Sequence, residues 1–478
     1  MRFWGAIAAL LLWAGTSWGQ SNEVERLSRV VEEQSQEIEE LKTQLARIER
    51  ALGITTVPAV QPVSYTPTPQ PPQAATTPQA PTTVPAVAGF RFTGDLRFRF
   101  DASVRGASAT ATGLQNIRQR YRFRFNADRD VASDLTFHAQ LSTGAVNNGI
   151  TFDQDFAGGV TRHPLFISEA WMDYHPNPNV SFRGGRLEEI YADNSRFLWD
   201  DDVRFNGFNE RWKRGRVELR AGQYLLINPN TFTVPAGAPF TLAGIEPGQI
   251  ARAGQLFHQG IGFDLSGSDR WRQQLITDVE IYRNPNLVAL TSTATGVGVT
   301  VNPAIGLTVS GPAPGTGNAL RSPTSAILFA PHFQIIRAAY RLDSNGLGGN
   351  PKLPMTWMVE TARNVGTSQL RDAMLTSISV GRTTQPGDFR GLYAFSIKDA
   401  NSLISQFTDD DLGTAVGVNI ATHHIRMDYT VRPNILLQNL LFLQTERRSS
   451  NPAASFFVPL GRDTPRTWRY QSQLAISF

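Results

Sequence analysis

Residues 117–130 read IRQRYRFRFNADRD. Arg118, Arg120, Arg122 and Arg124 take every second position, and Tyr121, Phe123 and Phe125 fill the positions between them. A period of two puts the guanidiniums on one face of an extended segment and the rings on the other. Two surfaces want that arrangement: a nucleic-acid platform, where phosphates pair with arginines and bases stack on rings, or a strand with water on one side and hydrocarbon on the other. The whole chain of 478 residues carries 45 Lys+Arg against 41 Asp+Glu, a formal charge of +4 that does not by itself argue for nucleic acid.

The alternation recurs along the chain. In FRFTGDLRFRFDASVR, from Phe90, the even positions hold Phe90, Phe92, Leu96, Phe98 and Phe100, and the odd ones hold Arg91, Asp95, Arg97, Arg99 and Asp101. DLTFHAQLSTG sets Leu135, Phe137 and Leu141 against His138 and Gln140, and WRYQSQLAISF ends the chain with Trp468, Tyr470, Leu474, Ile476 and Phe478 on one face. Sixteen such segments stand near 90–105, 117–130, 134–143, 166–175, 180–187, 203–212, 216–226, 257–266, 271–283, 332–342, 354–363, 373–382, 388–398, 415–429, 434–446 and 466–478. Short connections such as DVAS, PNPN, KRG and VRP alternate with longer ones, the longest being 284–331. A soluble sandwich has no reason to alternate in that way, whereas a transmembrane barrel has short periplasmic turns and long outer loops. The reading is therefore all-β, a 16-stranded antiparallel transmembrane β-barrel over residues 90–478, with arginines towards a wet lumen and rings towards lipid.

Ahead of the barrel the composition changes three times. Residues 1–19 have one early basic residue, a short apolar run and small residues at the end, the layout of a cleaved secretory signal peptide. Over residues 21–52 the period becomes seven, with Val24, Val31, Ile38, Leu45 and Leu52 at one seam position and Leu27, Gln34, Leu41 and Ile48 at the other, which predicts an oligomerising coiled coil. Residues 53–89, rich in Pro, Thr, Gln and Ala, predict an extended spacer of at most about 100 Å. There are no cysteines, so disulfides, thiolate metal sites and thiol nucleophiles are ruled out. An even strand number puts both barrel ends, and hence the coiled coil, on the periplasmic side.

The stretches GGRLEEIYADNSRFLWDDDVRFNGF and DDDLGTAVGVNIATHHIRMDYTVRPNILLQNLLFLQTERR, with the ending YQSQLAISF, resemble Gram-negative outer-membrane porins. More narrowly they resemble the putative-porin family whose barrel follows an N-terminal coiled-coil stretch, akin in kind to the phosphate-selective porins. The resemblance implies a homotrimer and passive diffusion of small hydrophilic solutes, with no enzyme activity and no cofactor. It also implies that the terminal pattern Tyr470, Leu474, Ile476 and Phe478 is read by the barrel-assembly machinery, and that the connection after the fifth strand folds into the channel.

On that basis Arg97, Arg99, Arg118, Arg120, Arg122 and Arg124 are the expected pore-lining residues. Glu188, Glu189, Asp193, Asp200, Asp201 and Asp202 are the expected acidic constriction loop facing them. The competing possibility is that the arginines pair with neighbouring lumen carboxylates while the aspartate run is an exposed loop tip. Residues 90–478 hold 39 Lys+Arg (45 minus 6) against 33 Asp+Glu (41 minus 8), a slight lean towards anions. Adjacent His423 and His424 point to opposite faces of a strand and so cannot chelate one ion; no metal site is expected. The glycine-rich run from Gly296 lacks the lysine of a phosphate loop and reads as outer loop. Expected partners are outer-membrane lipid, other copies of the chain, the assembly machinery and, for the coiled coil, peptidoglycan. Two other classes of function compete: a tether or adhesin that uses the barrel as an anchor, and a membrane-embedded hydrolase, for which no nucleophile and base share a face.

Overall fold

The computed structural model describes residues 89–478 apart from 108–112, 145–150, 157–161, 189–196, 228–247, 249–252, 266–269, 286–297, 303–305, 311–319, 323–325, 330–331, 406, 409–416 and 448–465. The signal peptide, the coiled coil and all but the last residue of the spacer lie outside the described residues. So do Glu189 and Asp193.

Sixteen long strands make one sheet. They are β1 (Phe90–Arg105), β2 (Leu114–Ala132), β3 (Leu135–Ser142), β4 (Phe166–Asn177), β5 (Val180–Leu187) and β6 (Phe205–Arg214). Then come β7 (Val217–Ile227), β8 (Gly254–Asp264), β9 (Trp271–Arg283), β10 (Gln334–Ser344) and β11 (Met355–Asn364). The last five are β12 (Asp372–Gly381), β13 (Phe389–Lys398), β14 (Ile420–Arg432), β15 (Ile435–Glu446) and β16 (Thr467–Ser477). Each pairs antiparallel with the next, and β16 pairs back onto β1 from Asp95↔Ser477 to Val104↔Trp468, so the sheet closes. At the seam Gly94 and Phe478 exchange two backbone hydrogen bonds of 2.8 and 3.0 Å. Closure gives every strand two neighbours, which removes the unpaired edges that an open sheet of this width would expose.

The side chains are distributed inside out. Arg97, Arg99, Arg120, Arg122 and Arg469 are buried in the interior, each no more than 8% exposed, whereas Phe98, Phe100, Trp468 and Tyr470 stand 39–51% exposed on the outside. Register enforces this: cross-strand partners share a face, so Phe98↔Tyr121 and Arg97↔Arg122 alternate along one ladder. Tight reversals sit at one end. Gly215 (φ 58°) supplies the left-handed residue of the two-residue loop between β6 and β7, and Asn434 (φ 63°) does so after Pro433 between β14 and β15.

The structure refines three of the sequence expectations. The fourteenth strand starts at Ile420, and 417–419 belong to the connection before it, while 415 and 416 lie outside the described residues. Gln154–Asp155 adds a two-residue piece to the edge of β2 above the end of β3, a seventeenth member of the sheet. The region expected as plain outer loop carries two hairpins, Gly298–Asn302 with Gly306–Ser310 and Leu320–Ser322 with Ala326–Phe329. The first has a period-two apolar pattern of its own (GVTVN, GLTVS), outweighed in the sequence by the surrounding Gly and Pro.

Candidate pore constriction

The β1–β2 register sets Arg97 opposite Arg122 and Arg99 opposite Arg120. Like charges directly opposite one another repel, so this face requires carboxylates. Asp95 and Asp101, in the same strand, supply two: Asp95 accepts from Arg122 at 3.0 Å and Arg124 at 2.6 Å, and Asp101 from Arg118 at 3.2 Å and Arg469 at 2.9 Å.

A third comes from the connection between β3 and β4. Asp153 lies 2.5 Å from Arg97, 2.8 Å from Arg99 and 3.5 Å from Arg120, with its side chain fully shielded from solvent. Burial alone would raise the pKa of its carboxyl, but the surrounding guanidiniums outweigh that and hold it well below the ordinary carboxylate range. Two residues on, Asp155 Oδ1 lies 2.6 Å from Arg120 Nε as an ion pair, in register with the edge addition to β2. The segment is thereby strapped across the arginine ladder.

The connection between β5 and β6 enters from the other side. Phe197, Leu198 and Trp199 are buried, and the Trp199 ring meets Phe205 edge-on at 4.9 Å and Phe407 at 5.7 Å. Asp200 donates its backbone N–H to the Phe407 carbonyl at 2.7 Å, and the Lys398 ammonium lies 5.8 Å above the Phe197 ring. An apolar cluster inside the barrel, shared with the connection between β13 and β14, thus pins this loop to one wall. Its continuation, Asp200 to Asp202, turns towards the arginines, with Asp202 Oδ1 3.7 Å from Arg122. Between the two sides lies a cavity of about 180 Å³, lined by Arg97, Arg99, Arg122 and Arg124 against Asp200, Asp201 and Asp202, with Arg426, Gln438 and Gln473 beside them. A larger polar cavity of about 630 Å³ shares Arg124 and Asp201 with it.

Four of the expected arginines, Arg97, Arg99, Arg122 and Arg124, therefore share a cavity with the aspartate run, whereas Arg118 and Arg120 lie against Asp101, Asp153 and Asp155. The arginines are ion-paired by lumen carboxylates, and the aspartates are not a loop tip: Asp200 and Asp202 are 2% and 5% exposed. Glu188 stands apart, half-buried against Arg183 at 2.7 Å, and lines the larger cavity. The three aspartates offer ligand atoms within 4.8 Å of one another. Two of them have structural occupations, since Asp200 Oδ1 accepts the Asp202 N–H at 2.8 Å and Asp202 Oδ2 accepts the Phe152 N–H at 2.9 Å. Sequence reasoning missed Asp153 and Asp155, although their spacing of two matches the arginine ladder, and it missed Arg426 and Arg469 beside the ladder. His423 and His424 do part: His424 stacks on buried Phe442 at 4.4 Å, and His423 meets the Tyr393 hydroxyl on the outside. Tyr470 and Phe478 lie on the outer face, and the pairs Phe98↔Leu474 and Leu96↔Ile476 put the rest of the terminal pattern there.

Residues 103–248 match a family model described as "Putative porin". Among solved structures, Pseudomonas putida OprB at high pH is similar at 12% identity, covering 82% of this chain and 94% of that one, with a TM-score of 0.46. The low-pH structure of the same protein gives 8% identity, 82% and 93% coverage and a TM-score of 0.43. A triple mutant of Rhodopseudomonas blastica porin gives 10%, 81% and 100%, and 0.40. No curated protein matches the sequence.

Proposed function

We propose that this chain, whose residues 103–248 match the "Putative porin" model, belongs to that family and is a passive diffusion channel for small hydrophilic solutes in the outer membrane of a Gram-negative bacterium. The observation that carries the reading is the inversion of the barrel: the rings on its outer face stand exposed while arginines and aspartates fill the interior. Strands can cross hydrocarbon only in a closed sheet, and this sheet is closed. A basic side chain on the lipid face would cost about 2–4 kcal/mol at mid-depth, so the arginines must face inward.

Selectivity in this proposal comes from size and from a transverse field between the arginine ladder and Asp200–Asp202. Asp95, Asp101, Asp153 and Asp155 already neutralise much of the ladder, which leaves at most a slight preference for anions. Replacing Arg120 and Arg122 together by Ser should shift the single-channel reversal potential towards cation selectivity. An unchanged reversal potential would remove these two residues from the filter.

In the same proposal residues 21–52 assemble copies of the chain in the periplasm, and peptidoglycan is their candidate partner. The diffusion path then belongs to residues 90–478 alone. Purified chain in a planar bilayer should conduct, and deletion of residues 21–89 should leave the conductance of each channel unchanged. A closed channel in both forms would favour the barrel as an anchor for a tether or adhesin.

A further inference from the structure

Around most of the barrel the outward rows carry no charge between the strand ends, although uncharged polar groups such as Asn439, which accepts from the Tyr470 hydroxyl at 2.7 Å, occur among them. One runs Trp357, Ile378, Tyr393, Ile425, Leu441, Tyr470 across six successive strands without a charge. Over β5–β8 the pattern breaks. Register places Glu210 beside Phe182 on one neighbour and Ala221 on the other, and Ala221 beside Gln259; one row further, Phe208 pairs with Gln223. Phe182 and Phe208 are 47% and 67% exposed, which fixes this as the outer face, and Glu210, Gln223 and Gln259 are exposed with them.

We propose that this outer face of β5–β8, around Glu210, Gln223 and Gln259, is where copies of the chain meet one another within the membrane. Strands lie about 4.8 Å apart, so Glu210 and Gln259, separated by the strand that carries Ala221, stand roughly 10 Å from each other and cannot exchange a hydrogen bond. Acyl chains offer neither group a partner. A second copy does: its glutamine amides can donate to this carboxylate, and in a cyclic assembly every copy brings the same set. Ala221 is a small residue on the face and lets another backbone approach closely, while the Phe208 ring, which lies over Gly184, supplies a protruding apolar contact. The seven-residue repeat at 21–52 favours a copy of the same chain over an unrelated partner.

The proposal rests on the membrane reading above, and the test separates the two. The chain has no cysteine, so a single introduced thiol reports its own surroundings. Full-length Gln223→Cys and Gln259→Cys chains in isolated outer membranes, treated with a short bis-maleimide, should give a band of two linked copies on a denaturing gel. Ile378→Cys, in the outward row that runs without a charge, should give none; heat-dependent gel mobility verifies that all three barrels are folded. Equal bands from all three, a band from Ile378→Cys alone, or no band from any would overturn the interface while leaving the porin reading intact. Recovery of the chain in the soluble fraction would remove the membrane premise, and the interface with it.

Discussion

An Asp153→Asn channel should conduct more than the native one and shift towards anions. Among the described residues Asp153 is the one carboxylate within 3.5 Å of Arg97, Arg99 and Arg120 together, and its side chain is fully buried. Removing one member of a buried, hydrogen-bonded ion cluster costs about 3–5 kcal/mol, because the charges left behind have lost their solvent and gained nothing in return. Here the remaining guanidiniums can recover by rehydration only if the strap at 151–155 lifts from the ladder. That widens the passage and uncovers positive charge in one step. Conductance and reversal potential in a planar bilayer read both, and a channel unchanged in either would mean that the strap is held by something other than this carboxylate. Asp130→Asn is the control: it breaks a pair with Arg91 in which both side chains are more than half exposed, and it should alter neither property. The depressed pKa of Asp153 gives the same latch a pH signature. A carboxyl held below its unfolded value contributes stability above the ordinary carboxylate range and loses it only as pH falls through the lower, folded value. The native strap should therefore stay closed through mildly acidic solution.

The barrel was legible in the sequence because a strand with a polar face towards the interior and an apolar face outward writes its two environments onto alternate residues. Arg118, Arg120, Arg122 and Arg124 could face only one way once Tyr121, Phe123 and Phe125 faced the other. Connection lengths then gave direction, and the sixteen expected segments match the sixteen long strands to within a few residues at each end. What folds into the lumen left a fainter trace. Phe197, Leu198 and Trp199 form a short apolar run in a connection, and nothing local says that Phe407, more than two hundred residues later, will cover it. Asp153 is a similar case: one aspartate in a loop acquires its importance only from three arginines on two other strands. Such long-range pairings are set by closure of the sheet, and periodicity does not record them. The outward Glu210 lay inside an expected strand, FNGFNERW, whose mixed polarity the two-period reading left unexplained.

The second large effect is expected at Arg337, on the opposite wall. This guanidinium is wholly buried, donating to Glu360 at 2.6 and 2.8 Å and to Asp278 at 2.7 Å; both carboxylates are 0% exposed, and His258 Nε2 lies 3.0 Å from Asp278. The groups come from four adjacent strands, β8 to β11, so the network staples that part of the wall. Arg337→Met keeps most of the side-chain volume and removes the charge, leaving two carboxylates facing each other without their shared cation. The expected loss is about 3–5 kcal/mol, seen as a lower midpoint for the heat-induced mobility shift on a denaturing gel or for urea unfolding from lipid vesicles. Replacing all three groups together, Arg337→Met with Asp278→Asn and Glu360→Gln, should recover most of that loss, since a buried cluster is expensive to break and far less expensive to remove whole. The two variants distinguish electrostatics from packing. If the triple replacement is as unstable as the single one, the cost lies in the shape of the Arg337 side chain; if the single one is as stable as the native barrel, water reaches this wall and the staple holds nothing.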